Sequence, residues 1–67
     1  MGELTGSVTG FDDAAGLGVV TTEDEVDYPF HCTQIADGTR SIAVGTAVSF
    51  ELEPRLGRWE AVGLEPS

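Results

Sequence analysis

The sequence contains no lysine, a single cysteine and a single histidine, and each scarcity excludes a class of protein or site. Cys32 has no partner for an internal disulfide, whereas secreted proteins of this size usually depend on several. His31 would have to serve any catalytic or metal-binding arrangement alone, and a zinc site needs about four ligands. Adjacent residues of a strand face opposite sides, which separates His31 from Cys32. We therefore expect no enzyme activity, no metal and no cofactor.

Long apolar segments are also missing. No stretch approaches the roughly 20 apolar residues that cross a bilayer, and the chain does not begin with a basic and apolar leader. Its length suffices for one small domain over residues 1–67, without room for a deep catalytic cleft beside a scaffold. These features predict a single soluble domain in the reducing cytoplasm that makes no contact with a membrane.

Positive charge is scarce as well, since three arginines face twelve aspartates and glutamates, for a formal charge of −9. Such a chain repels phosphate groups at long range. A second interpretation stays open, because acidic chains also suit a salt-rich cytoplasm, where a Debye length of about 3 Å at 1 M salt removes the repulsion. The acidic run over 23–27 lacks the glycine and the spacing of a calcium loop, which favours a solvated turn.

Alternation of apolar and polar residues predicts short strands. The clearest lies over 47–53, where Val48, Phe50 and Leu52 would face a core and Pro54 would end the strand. Pro29 lies within another expected strand and predicts an edge or a bulge there, because proline cannot donate to a ladder. The remaining strands are expected over residues 4–11, 16–22, 26–32 and 59–64.

The connections between these strands read as turns. Short polar segments over 12–16 and 22–25 suit hairpins, and the longer segment over 33–45 contains a 3₁₀ turn at 33–35 and an Asp37-Gly38 turn. Five short strands at this spacing favour an all-β antiparallel barrel, because closure removes exposed edges.

Three stretches of sequence form a pattern that extends along most of the chain. They are residues 6–20, which include FDD at 11–13 and GLGVV at 16–20, residues 27–35 with the sequence DYPFHCTQI, and residues 45–51 with the sequence GTAVSFE. In this order and spacing they resemble the cold-shock domain. The resemblance implies a five-stranded OB-fold barrel that binds single-stranded RNA and DNA by stacking bases on exposed aromatic side chains beside lysines.

Most of that stacking surface is replaced in this sequence. Thr9-Gly10-Phe11 lies where the resembled family has Lys-Trp-Phe, and Leu17 and Val19 lie where it has two stacking phenylalanines. Pro29 and Cys32 replace two further aromatic residues, Thr39 replaces an aromatic residue of a loop, and His31 is retained. Since each stacked base contributes about 1–3 kcal/mol, these replacements imply that any binding is weak.

Seven residues are the candidates for contact with nucleic acid, and several of them have a second interpretation. Phe11 either stacks on a base or covers one end of the core, whereas Tyr28, Phe30 and Phe50 are expected in the core. His31 either contacts a base or is a half-exposed strand residue without a role. The candidates are Phe11, Leu17, Val19, Pro29, His31, Arg58 and Trp59.

Two groups of these candidates also suit other partners. Arg58 and Trp59 together could contact nucleic acid through charge and stacking, form a protein–protein hot spot, or include a tryptophan that caps the barrel. Leu17, Val19 and Pro29 would form an exposed apolar patch, which suits a protein partner or is what remains of a lost site.

We therefore expect a divergent cold-shock-like protein that binds single-stranded RNA or DNA weakly and acts in the regulation of gene expression. The alternative is a protein–protein interaction module on an OB-fold that has lost nucleic-acid binding. A third hypothesis, an acidic decoy that occupies another protein's nucleic-acid site, rests on net charge alone.

Overall fold

The polar turns of the sequence divide the chain into five strands, and the computed structural model, which describes residues 3–36 and 41–67, shows all five. A 3₁₀ turn over Cys32–Gln34 follows the third strand, one residue earlier than predicted. The predicted Asp37-Gly38 turn, Thr39 and Arg40 lie outside the described residues. The strands are β1 Leu4–Asp12, β2 Leu17–Thr22, β3 Asp27–His31, β4 Ala47–Arg55 and β5 Arg58–Pro66.

These strands form one antiparallel sheet in the order β3-β2-β1-β4-β5, which confirms the predicted all-β fold of the OB type. Among the described residues, one isolated bridge joins the segment after the 3₁₀ turn to β5. Ile35 pairs with Leu64 in parallel, and the Ala36 amide donates to the Leu64 carbonyl at 2.7 Å. Because β3 is an end strand, Pro29 lies at an edge of the sheet, as its missing N–H predicts.

A bulge in β1 changes which residues face inward. Val8 pairs with Val20, but the next pair is Gly10 with Val19, so Thr9 is the extra residue. Without the bulge, strict alternation would place Gly10 on the same side as Val8 and Phe11 on the opposite side. The bulge instead turns Phe11 to the inner side, where it packs against the core.

The core contains the residues that alternation selects. Val48 and Phe50 are fully buried and Leu52 packs against them from a half-buried position, as predicted. Phe30 is buried, and half-buried Tyr28 contacts Phe50 with a ring distance of 6.3 Å. The buried hydrophobic residues are Val8, Val20, Phe30, Ile35, Val48, Phe50, Ala61, Val62 and Leu64.

In the part of the chain that the structure describes, no helix has the length and apolar character needed to cross a membrane.

Candidate nucleic-acid interface

An open groove of about 490 Å³ lies across β1, β2 and β3 and extends to the start of β5. Six of the seven candidate residues line it, although they come from four strands. Trp59 is the exception. The candidates in the groove are Phe11, Leu17, Val19, Pro29, His31 and Arg58, and the other lining residues are Gly10, Asp12, Gly18, Phe30 and Glu60.

Strand register explains one wall of this groove. Leu17 lies opposite His31, and two residues further along β2 Val19 lies opposite Pro29. Residues two apart on a strand share a face, so these side chains lie together on the outer side of the sheet. Leu17 is 51% exposed, and Val19 and Pro29 are half-buried. We call Leu17, Val19 and Pro29 the apolar strip.

The floor of the groove is a pair of stacked aromatic rings. The rings of Phe11 and Phe30 lie 6.0 Å apart at an interplanar angle of 20°, and Gly18 lies between them in the sheet. A Cβ atom at position 18 would come within 2.6 Å of Cε1 of Phe30 and 2.9 Å of Cδ1 of Phe11. Only glycine fits there without displacing the rings. Phe11 therefore covers the core and lines the groove at once.

Gly18→Ala is expected to destabilise the fold by about 1–3 kcal/mol, because the new methyl group overlaps two packed rings. Gly10→Ala is the matched control, since a Cβ at Gly10 meets nothing within 4 Å and its φ is not positive. That variant should keep or slightly raise the free energy of unfolding. Urea unfolding of both variants tests the packing of the floor, and equal midpoints would contradict it.

His31 is exposed at the end of β3 and is held by the 3₁₀ turn. Its Nδ1 accepts the Thr33 amide at 3.3 Å and lies 3.1 Å from the Thr33 hydroxyl oxygen. Because the turn engages Nδ1, Nε2 is the ring nitrogen left for a ligand in the groove. Because the chain leaves the strand at Cys32, Sγ of Cys32 lies 3.9 Å from Nδ1, so the expectation that the two side chains face apart is wrong. Among the described residues, no cluster of three or more possible metal ligands is present.

Strand alternation separates Arg58 from Trp59. Arg58 and Glu60 share one face of β5 and line the groove, whereas Trp59 lies between them, opposite Pro54, and does not line it. Trp59 is 47% exposed and does not belong to the core cluster. The structure therefore does not support a joint contact of Arg58 and Trp59 with one ligand, nor a tryptophan cap on the core.

Two acidic residues of the groove, Asp12 and Glu60, were not among the predicted site residues. Oδ1 of Asp12 accepts the amides of Ala14 and Ala15 at 3.0 and 3.2 Å, so this residue shapes the β1–β2 turn. The sequence does hold a signal for Glu60, since it lies two residues after Arg58, which directly precedes the strand predicted over 59–64 and begins the observed β5. Alternation would have placed both on one face.

Comparison with known proteins agrees with this geometry. The family model described as the 'Cold-shock' DNA-binding domain matches residues 4–66, which include all five strands. The solved structure of Drosophila Unr CSD456 superimposes with a TM-score of 0.81 at 21% identity, over 98% of this chain and 27% of that one, and shows the same fold. No curated protein sequence matches the chain. The chain belongs to the cold-shock domain family, whose members are nucleic-acid-binding domains.

Proposed function

We propose that this protein binds single-stranded RNA or DNA weakly through the groove and takes part in the regulation of gene expression in the cytoplasm. The convergence of six candidate residues on one open groove, in a member of the cold-shock domain family, carries the proposal. The groove volume of about 490 Å³ is that of a small-ligand site, so the groove suits a few nucleotides of single-stranded RNA or DNA.

The chemistry of the groove supports weak binding. Of the side chains that line it, Phe11 and His31 offer ring surface to a base, whereas Phe30 is buried and stacks on Phe11. The apolar strip offers a base dispersion contact but no aromatic stacking, which is the contribution of about 1–3 kcal/mol per base in single-strand binding. Arg58 is the one cation among the lining residues, against a chain charge of −9.

An amide-shift titration with a mixed pyrimidine oligonucleotide tests the proposal. The amides of Leu17, Val19 and His31 are expected to shift, while the Trp59 indole signal stays unchanged because its side chain does not line the groove. Silence of all these amides at about 1 mM oligonucleotide and low salt would overturn it, since this corresponds to a binding free energy weaker than about −4 kcal/mol.

Arg58→Gln is expected to weaken binding several-fold at low salt, because one phosphate contact is lost. The slope of log K against log salt concentration should become shallower by about 0.7. Arg55→Gln is the matched control. Arg55 is exposed, does not line the groove and pairs with Glu53 at 2.8 Å. Affinity measured between low and moderate salt should separate the two variants, and equal slopes would show that Arg58 does not meet the phosphate.

The apolar strip supports a second candidate function, docking of a protein partner on an OB-fold that no longer binds nucleic acid. Leu17 is half exposed beside Val19 and Pro29, and contiguous apolar surface of this kind often marks a partner site. Salt distinguishes the two functions. Nucleic-acid binding weakens as salt rises, whereas apolar docking holds or strengthens.

A further inference from the structure

We infer that the groove selects among bases, and that Glu60 makes it prefer cytosine, which carries an exocyclic amino group, over uracil. The inference rests on the proposed function and gives it a ligand class.

The side chains of Arg58 and Glu60 form the polar wall of the groove. They lie two residues apart on β5 and line the same groove as the apolar strip. Within residues 3–36 and 41–67, the one ion pair joins Arg55 to Glu53, so Arg58 and Glu60 do not neutralise each other or a described neighbour. Glu60 is half-buried, and no hydrogen bond to its carboxylate is present in this part of the chain.

A ligand that covers Glu60 removes water from its carboxylate. This costs free energy unless the ligand donates a hydrogen bond in return, because an unpaired polar group is expensive to bury. The N4 amino group of cytosine is a donor that Asp and Glu side chains accept. Uracil presents the O4 carbonyl oxygen at the same position, which would leave Glu60 facing a second acceptor.

The neighbouring cation completes the match to cytosine. The pairing edge of cytosine holds one donor group, N4, followed by two acceptors, N3 and O2. A carboxylate accepts only and a guanidinium donates only, so Glu60 and Arg58 on one strand face offer the complementary order. Asp12 is a weaker candidate for this contact, because one of its carboxylate oxygens already accepts two amides of the β1–β2 turn.

The test compares hexacytidine with hexauridine on three proteins at neutral pH. The natural chain is expected to bind hexacytidine about five- to tenfold more tightly than hexauridine. This ratio lies at the lower end of what one base contact usually gives, because the groove is open. Glu60→Gln should reduce this ratio to about twofold or less, since an amide both donates and accepts. Glu65→Gln is the matched control. It removes the same charge from an exposed position of β5 outside the groove, and should leave the ratio unchanged.

The outcomes separate the inference from the proposed function. Equal affinity of the natural chain for both oligonucleotides overturns the base preference, and a preference that Glu60→Gln does not change overturns the role of Glu60; in both cases the groove remains a binding site. Failure of both oligonucleotides to bind overturns the proposed function together with the inference. Thermal unfolding of Glu60→Gln verifies its fold, and Glu60→Ala, which removes the acceptor without adding a donor, should reduce the ratio in the same way.

Discussion

A variant that combines Gly10→Trp, Leu17→Phe and Pro29→Phe is expected to bind a single-stranded oligonucleotide at least about a hundredfold more tightly than the natural chain. Each stacked base contributes about 1–3 kcal/mol, so three stacks add about 3 kcal/mol at the lower limit. The groove has space for these side chains. A Cβ at Gly10 meets nothing within 4 Å, and Leu17 is 51% exposed.

Fluorescence anisotropy of a labelled oligonucleotide measures this gain. Val44→Trp is the control, because Val44 is 62% exposed and does not line the groove. It adds aromatic surface elsewhere and should leave the affinity unchanged. If the triple variant folds but gains no affinity, or gains no more than the control, the groove is not where this chain meets nucleic acid.

Phe30→Ala is expected to remove most of the free energy of unfolding and to leave the fold marginally stable at room temperature. Phe30 is 1% exposed, and its ring supports both the core and Phe11. Replacing a buried phenylalanine with alanine costs about 3–5 kcal/mol, because apolar burial is lost and a cavity remains. Domains of this size lie near the lower end of the usual stability of about 5–15 kcal/mol, so this loss removes most of it.

Urea unfolding followed by Trp59 fluorescence measures the change, since Trp59 is the single tryptophan. Val44→Ala removes a similar kind of side chain from an exposed position and should change the free energy of unfolding by less than about 0.5 kcal/mol. A cooperative transition of Phe30→Ala at the midpoint of the natural chain would show that Phe30 is not central to the core.

Short-range patterns in the sequence are sufficient to predict the strands and most of the core residues. Val48 and Phe50 alternate with polar neighbours, and both are fully buried. The same period of two places Leu17 and Val19 on one face of β2, which is why the apolar strip could be predicted without coordinates. The family resemblance depends on such spacings too, and the family model confirms it over residues 4–66.

The composition of the groove depends on pairing between distant strands, which no local pattern encodes. The bulge at Thr9 turns Phe11 inward onto Phe30, because one extra residue reverses the sides of all that follow in the strand. In the sheet order β5 lies at the opposite end from β3, yet Glu60 lines the same groove as residues of β2 and β3, which lie about thirty or more positions earlier in the chain. The sequence therefore predicts, for each strand separately, which side chains share a face. Their meeting with Arg58 and Glu60 follows from how the sheet curves back on itself, since contacts between distant segments arise only when the whole sheet has formed.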